Sequence, residues 1–187
     1  MIAVALQRGS ALVPTSSQTV GPFVEIGCKH LESDRVVDAI AGATDVIVRG
    51  RVIDGDGAIV PDYMLEIWQA IPGSLPGFAR VLPSDDGSFT LHTSYYDAKS
   101  NPASNEPAPY LAILIFMRGL LKPLLTRMYF PNDPRTATDP VIELVPADRR
   151  ATLVAVRSPE PASNEAACYL EWNVVLQGAG ETAFFEW

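Results

Sequence analysis

Side chains that commonly do chemistry are scarce in this sequence. It holds two histidines, His30 and His92, and two cysteines, Cys28 and Cys168. They are scattered, so no Cys-x-x-Cys, His-x-His or His-Glu-x-x-His pattern prepares a metal site. Ligands can still converge from distant segments, but local spacing offers none. The stretch "PTSSQT" supplies hydroxyls, yet no Gly-x-Ser-x-Gly elbow is present to present and activate a serine. Glycine-rich phosphate cradles of the Walker or Rossmann kind are missing too. Among 22 acidic residues, no spacing singles out a carboxylate pair for acid and base work. One run does stand out. "YLAILIFMRG", from Tyr110 to Gly119, is apolar until it ends on one arginine and one glycine.

The elements that would position these groups read mostly as strands. "DVIVRGRVID" alternates, with Val46, Val48 and Gly50 on one face and Ile47, Arg49 and Arg51 on the other. "DGDG" at 54–57 is a turn signal, because glycine tolerates positive φ. "YMLEIWQA" is the return strand and places Glu66 and Trp68 on one face. The segment "IPGSLPGFARVLPSDDG" reads as a loop. "SFTLHTS" sets Phe89 and Leu91 opposite Thr90 and His92. "YLAILIFMR" is apolar on both parities, which predicts a central strand covered on both sides. "LLTRMYF", "DRRATLVAVR", "ACYLEWNVVLQG" and "ETAFFEW" continue the series. Before all of these, "CKHLESDRVVDAIAGA" predicts one short helix, with Leu31, Val36, Val37 and Ile40 on one side. The expected fold is an all-β sandwich over residues 45–187, preceded by a largely irregular N-terminal arm over 1–44.

Composition bounds the function classes. The chain has 187 residues, is 48% hydrophobic and 19% charged, and includes 16 prolines and 13 glycines. That balance suits a turn-rich globular β domain. A formal net charge of -8 disfavours nucleic acid, whose binders need a basic face to displace counterions. It also brings nothing to an anionic membrane surface. No run approaches the roughly 20 apolar residues of a membrane span. The opening "MIAVALQRGSALVPTSSQ" lacks a basic start and a long apolar stretch, so it makes a poor signal peptide. Two cysteines are too few for a disulfide framework. The expectation is a cytoplasmic protein with free thiols, and no nucleic-acid or membrane partner.

Five segments taken in order resemble the intradiol ring-cleavage dioxygenases. They are "TSSQTVGPF" (15–23), "VIVRGRVIDGDGAIVPDYMLEIWQA" (46–70), "FARVLPSDDGSFTLHT" (78–93), "PAPYLAILIFMRGLLKPLLTRMYFPND" (107–133) and "DRRATLVAVR" (148–157). The combination of "SQT-x-GP", "LEIWQA" and "TRMYFPND" carries the specificity. The resemblance implies ferric iron held by two tyrosines and two histidines, with the histidines as a His-x-His pair on the strand after a proline-rich loop. Here that place holds Tyr110, Leu111 and Ala112. Strand alternation would aim positions 110 and 112 at one ion, but one is a phenol and the other a methyl group. No tyrosine lies between Ile71 and Ser84, where the family carries another ligand, and Tyr95 and Tyr96 lack the family's surrounding motif.

The resemblance therefore implies a chain with no metal ligands and no catalytic residue of its own. It would be a subunit, inactive alone, of a heteromeric enzyme whose homologous β subunit carries the iron. Its role would be to line the partner's site for O₂-dependent cleavage of a small aromatic acid between two hydroxyl-bearing carbons. The lining residues implied are Thr19, Gly21, Pro22 and Arg118, the arginine either facing the substrate carboxylate or orienting β-subunit residues near the iron. Higher assemblies of such pairs are also implied. The alternative is a sandwich derived from this family that serves only as a binding or interaction module.

Overall fold

The computed structural model describes residues 16–38, 40, 42–71, 75–96, 107–159 and 167–186. Among these residues, two short α-helices and nine strands follow in chain order: α1 (Pro22–Cys28), β1 (Thr44–Ile53), β2 (Tyr63–Gln69), β3 (Gly77–Val81), β4 (Ser88–Tyr95), β5 (Tyr110–Met117), β6 (Leu124–Tyr129), α2 (Pro140–Leu144), β7 (Val156–Arg157), β8 (Cys168–Glu171) and β9 (Val174–Val175). One sheet runs β4-β1-β8-β7, with β9 added against the far part of β1, and the other runs β3-β2-β5-β6. β1 is parallel to β8 and β9, and the other pairings are antiparallel. The expected all-β sandwich is what forms.

Alternation explains which residues fill it. Val46, Val48 and Val52 of β1, Phe89 and Leu91 of β4, and Leu170 of β8 meet Leu65, Ile67, Ala79, Val81, Leu111, Ile113, Ile115 and Met128 from the other sheet. All are buried in a single core, the layered solution for two amphipathic sheets. Gln69 is one of the polar residues buried among them. Its amide nitrogen donates to the Ser94 carbonyl at 2.8 Å, and its amide oxygen accepts from the Thr93 hydroxyl, so β2 and β4 are joined across the core without an unpaired group.

Four expectations need correction. The helix expected within residues 28–43 lies earlier, at α1, with Pro22 at the first helical position, where its missing N–H is harmless. Only its last residue and a 3₁₀ turn at Lys29–Leu31 overlap the expected span. The following residues are extended instead. Ser33 bridges to Arg80 of β3 and Arg35 to His92 of β4, so the arm laces together one edge strand of each sheet. Those edges offer unpaired backbone groups, and β-branched Val36 and Val37 fit a pleated backbone better than a helix; both enter the core. Second, the segment read as a loop contains β3, five residues long and too short to announce itself. Third, "DRRATLVAVR" is a 3₁₀ turn at Arg150–Leu153 followed by the two residues of β7, and "ETAFFEW" contributes one bridge, Phe185 to Leu125. Fourth, β5 is central in its sheet but fully covered only on the core side. Tyr110, Ala112, Leu114 and Phe116 are half-buried on the outer face.

Part of that outer face is covered by a second, smaller core. α2 and the 3₁₀ turn bring Ile142, Val145 and Leu153 over Tyr129 and Ala108. Asp139 begins α2, accepting from the Val141 and Ile142 amides at 2.9 and 3.3 Å and from the Tyr129 hydroxyl at 3.1 Å. Burial pushes the Tyr129 phenol up to about 12, so it stays neutral and can donate to Asp139 while accepting from Arg127 at 3.2 Å.

Another buried node supports the β4 end. Asp133 has a fully buried carboxylate that accepts from Arg135 Nε at 3.0 Å, Arg135 Nη2 at 2.7 Å and the Tyr95 hydroxyl at 2.9 Å. Burial pushes its carboxyl up, but the Arg135 and Tyr95 hydrogen bonds outweigh this and hold it below the usual range. A depressed folded value means that Asp133 adds stability above its unfolded value of about 3.9 and loses it as pH falls through the folded value. Urea midpoints measured from pH 7 down to pH 2.5 are expected to fall more steeply below about pH 4 in the wild type than in Asp133→Asn. Parallel acid limbs would remove Asp133 from the acid transition.

Candidate functional site

The β2–β5 register builds the site. Tyr63 pairs with Met117 and Met64 with Phe116. One step further out, Asp62 and Arg118 face each other, and Arg118 Nε donates to Asp62 Oδ2. By alternation Asp62, Met64, Phe116 and Arg118 all project from the outer face of the sheet, away from the core. The arm folds over this end. Val20, Gly21, Pro22 and Val24, together with Pro61, Leu82, Pro83, Ser84 and Asp85, close a cleft of about 420 Å³ around those side chains. That size is within the range of about 300–1,000 Å³ usual for small-molecule sites.

Each residue expected at the site can be placed. Gly21, Pro22 and Arg118 line this one cleft. Thr19 does not line it but ties the arm to it: its hydroxyl donates to the Met117 carbonyl at 3.4 Å and accepts from the Gly119 amide at 2.8 Å. The arginine is thus flanked by two backbone contacts to one threonine. Gly119 turns the chain there with φ 90°, a conformation that suits glycine. At Gly21 a β-carbon would have nothing within 4 Å, so the space above its backbone is open. Sequence reasoning missed Asp62, Asp85, Phe116 and Met64. Asp62 carries no motif, and its only signal is the register itself. Tyr63 also borders the cleft, but its hydroxyl donates inward to the Gly87 carbonyl at 3.0 Å, and burial raises its phenol well above the usual range.

The arginine keeps free donors. Its side chain is 68% exposed and Asp62's is 38% exposed. Among the described residues only Asp62 takes a hydrogen bond from it, at Nε. That leaves the Nη1–Nη2 edge, which matches a carboxylate in a bidentate fork, without a hydrogen-bond partner among the described residues.

The place where the resemblance puts two histidines is built differently. Tyr110 and Ala112 do share the outer face, but the Arg127 guanidinium lies over the Tyr110 ring, 3.9 Å from its centroid. Arg127 is the register partner of Ala112, and Trp68 flanks Ala112 on the other side. A methyl group offers no lone pair, and a fixed guanidinium repels a metal cation, so these residues do not fit iron. Tyr95 is committed to Asp133 and packs on Phe130 with ring centroids 5.0 Å apart. Among the described residues, no group of three or more His, Cys, Asp or Glu side chains converges as a metal site. No helix among the described residues is long and apolar enough to cross a membrane. Cys28 and Cys168 are both free thiols.

Comparison with known proteins supplies the context for this geometry. No protein-family model matches the chain. It is 35% identical to the protocatechuate 3,4-dioxygenase alpha chain of Burkholderia cepacia, covering 95% of this chain and 99% of that one. To the corresponding alpha chain of Pseudomonas putida it is 32% identical, covering 94% and 97%. The beta chain of the Burkholderia cepacia protein is 26% identical over 73% of this chain and 66% of its own. Among solved structures, 3-chlorocatechol 1,2-dioxygenase from Rhodococcus opacus shares the fold, with a TM-score of 0.56 at 21% identity, covering 90% of this chain and 70% of that one. Together, the full-length likeness and the two-sheet fold place this chain in the protocatechuate 3,4-dioxygenase alpha-chain family, among the intradiol ring-cleavage dioxygenases.

Proposed function

We propose that this chain is the non-iron-binding subunit of a heteromeric protocatechuate 3,4-dioxygenase and supplies part of the active-site wall of a homologous β subunit. The observation that carries this reading is the cleft. It brings Gly21, Pro22 and Arg118 together at one open end of the sheet, with Thr19 bonded beside them, while Tyr110 packs under a guanidinium and Ala112 has no lone pair to offer a metal. In this reading ferric iron belongs to the partner and supplies the activation of the catechol toward O₂. Both oxygen atoms enter between the two hydroxyl-bearing carbons, and the ring opens to 3-carboxy-cis,cis-muconate. This chain's share is to orient and enclose. The open edge of Arg118 receives the substrate carboxylate, Gly21 lets backbone approach the ring, and Pro22 stiffens the wall.

The arm over 1–44 would form part of the partner interface. Phe23, Ile26 and Leu31 support that, being 80%, 71% and 51% exposed on one short stretch. A cytoplasmic location, O₂ as co-substrate and assembly of several α–β pairs complete the proposal.

Expression of this chain alone and together with its β subunit tests the reading. Alone, it should purify colourless and inactive. Together, the two should co-purify as a red, iron-loaded complex that consumes protocatechuate and O₂. Colour and turnover from this chain alone would refute the proposal. Absence of both partner binding and activity would favour a pure interaction module.

A further inference from the structure

We propose that Asp62 is a positioning residue for substrate recognition. It holds Arg118 by Nε so that the Nη1–Nη2 edge is presented to the substrate carboxylate. This rests on the subunit reading above and deepens it. The register dictates the pair: Asp62 and Arg118 continue the Tyr63–Met117 and Met64–Phe116 ladder by one step, beyond the last strand residues on both sides. Both ends are held. Pro61 fixes the backbone before Asp62, and Tyr63 after it is buried and bonded to the Gly87 carbonyl. Thr19 brackets Arg118 through Met117 and Gly119.

A long, mostly exposed arginine would otherwise sample many rotamers, and ordering it on binding costs affinity. Asp62 removes that cost in advance. It takes the Nε donor and leaves the Nη1–Nη2 edge, whose spacing matches both oxygens of a carboxylate. Its negative charge also works against an incoming anion, and with Asp85 in the same cleft that repulsion is real. Geometry and charge can therefore be separated by substitution. Asp62→Asn keeps an acceptor oxygen for Nε and drops the charge. Asp62→Ala drops both.

The test uses the assembled complex with protocatechuate and with catechol, which lacks the carboxylate. Asp62→Ala is expected to raise KM for protocatechuate about three- to tenfold with kcat within about twofold, the signature of lost ground-state binding. Asp62→Asn is expected to keep KM at or below the wild-type value. With catechol, KM or the inhibition constant should be the same in all three proteins within about twofold. Asp62→Ser, which cannot span to Nε, replaces the alanine variant if that one does not assemble. The proposal is overturned by an unchanged KM in Asp62→Ala, by equal losses in the alanine and asparagine variants, or by an equal loss with catechol. Failure of this inference is distinct from failure of the subunit reading, because the latter shows as an inactive wild-type complex.

Discussion

In the assembled complex, Arg118→Ala is expected to raise KM for protocatechuate about 10- to 100-fold while leaving the iron content of the complex unchanged. The size follows from the kind of bond removed. Hydrogen bonds to charged groups contribute about 1.5–3 kcal/mol each way, and 1.4 kcal/mol is about tenfold in affinity. Exposure of the guanidinium in the isolated chain argues for the lower figure, and enclosure by a partner for the higher. Arg118→Lys should recover only part of the loss, since an ammonium is a point charge that cannot offer two parallel N–H groups. Asp62 is left without its counterion in the alanine variant and turns its full charge on the substrate, which adds to the effect. Unchanged kinetics would remove Arg118 from the site. Loss of iron or of the partner would make it a structural residue instead. Steady-state kinetics, metal analysis and gel filtration on one preparation distinguish these three results.

That arginine also shows how far sequence alone reaches. Period-two alternation was enough to place β1, β2 and β4, and to put Val46 with Val48 and Phe89 with Leu91 on shared faces; β5 was placed by its unbroken apolar run. It failed where tertiary contacts overrule local pattern. Val36 and Val37 look like one side of a helix, but the free edges of β3 and β4 hold that stretch extended. β5 looks covered on both faces because its outer face is apolar too; Tyr110 is packed under Arg127, while Phe116 is held by the arm's cleft. The site was legible in part. Thr19, Gly21, Pro22 and Arg118 were reached through resemblance, and they meet although nearly a hundred residues of chain separate the arm from β5. Asp62 was beyond reach, since an aspartate before a strand is ordinary until the register sets it opposite Arg118. The Asp133–Arg135–Tyr95 node was hidden for the same reason.

The fold's dependence on close backbone approach leads to the largest expected stability effect, at Gly50. This residue lies in the middle of β1, between the stretch paired with β8 and the stretch paired with β9. Trp172 links those two short strands, and its amide donates to the Arg49 carbonyl at 2.9 Å. A β-carbon on Gly50 would fall inside the van der Waals shell of the Trp172 carbonyl oxygen and 2.7 Å from Cζ of Phe89. Phe89 is 1% exposed and cannot swing out, and the Trp172 carbonyl is backbone. Relief therefore requires β8 and β9 to shift together off β1. Overpacking costs about 1–3 kcal/mol where side chains can adapt, so Gly50→Ala is expected to reach at least the upper end, about 3 kcal/mol. For a chain of this size that corresponds to a Tm lower by about 6–12 °C. Gly21→Ala is the matched control. Its backbone is not left-handed and nothing stands within 4 Å of the added methyl, so its Tm should stay within about 2 °C of wild type. Differential scanning calorimetry on the three proteins reads both outcomes. A Gly50→Ala variant as stable as Gly21→Ala would mean that β1 and the Trp172 crossing can separate without cost, and that the core is not anchored at this point.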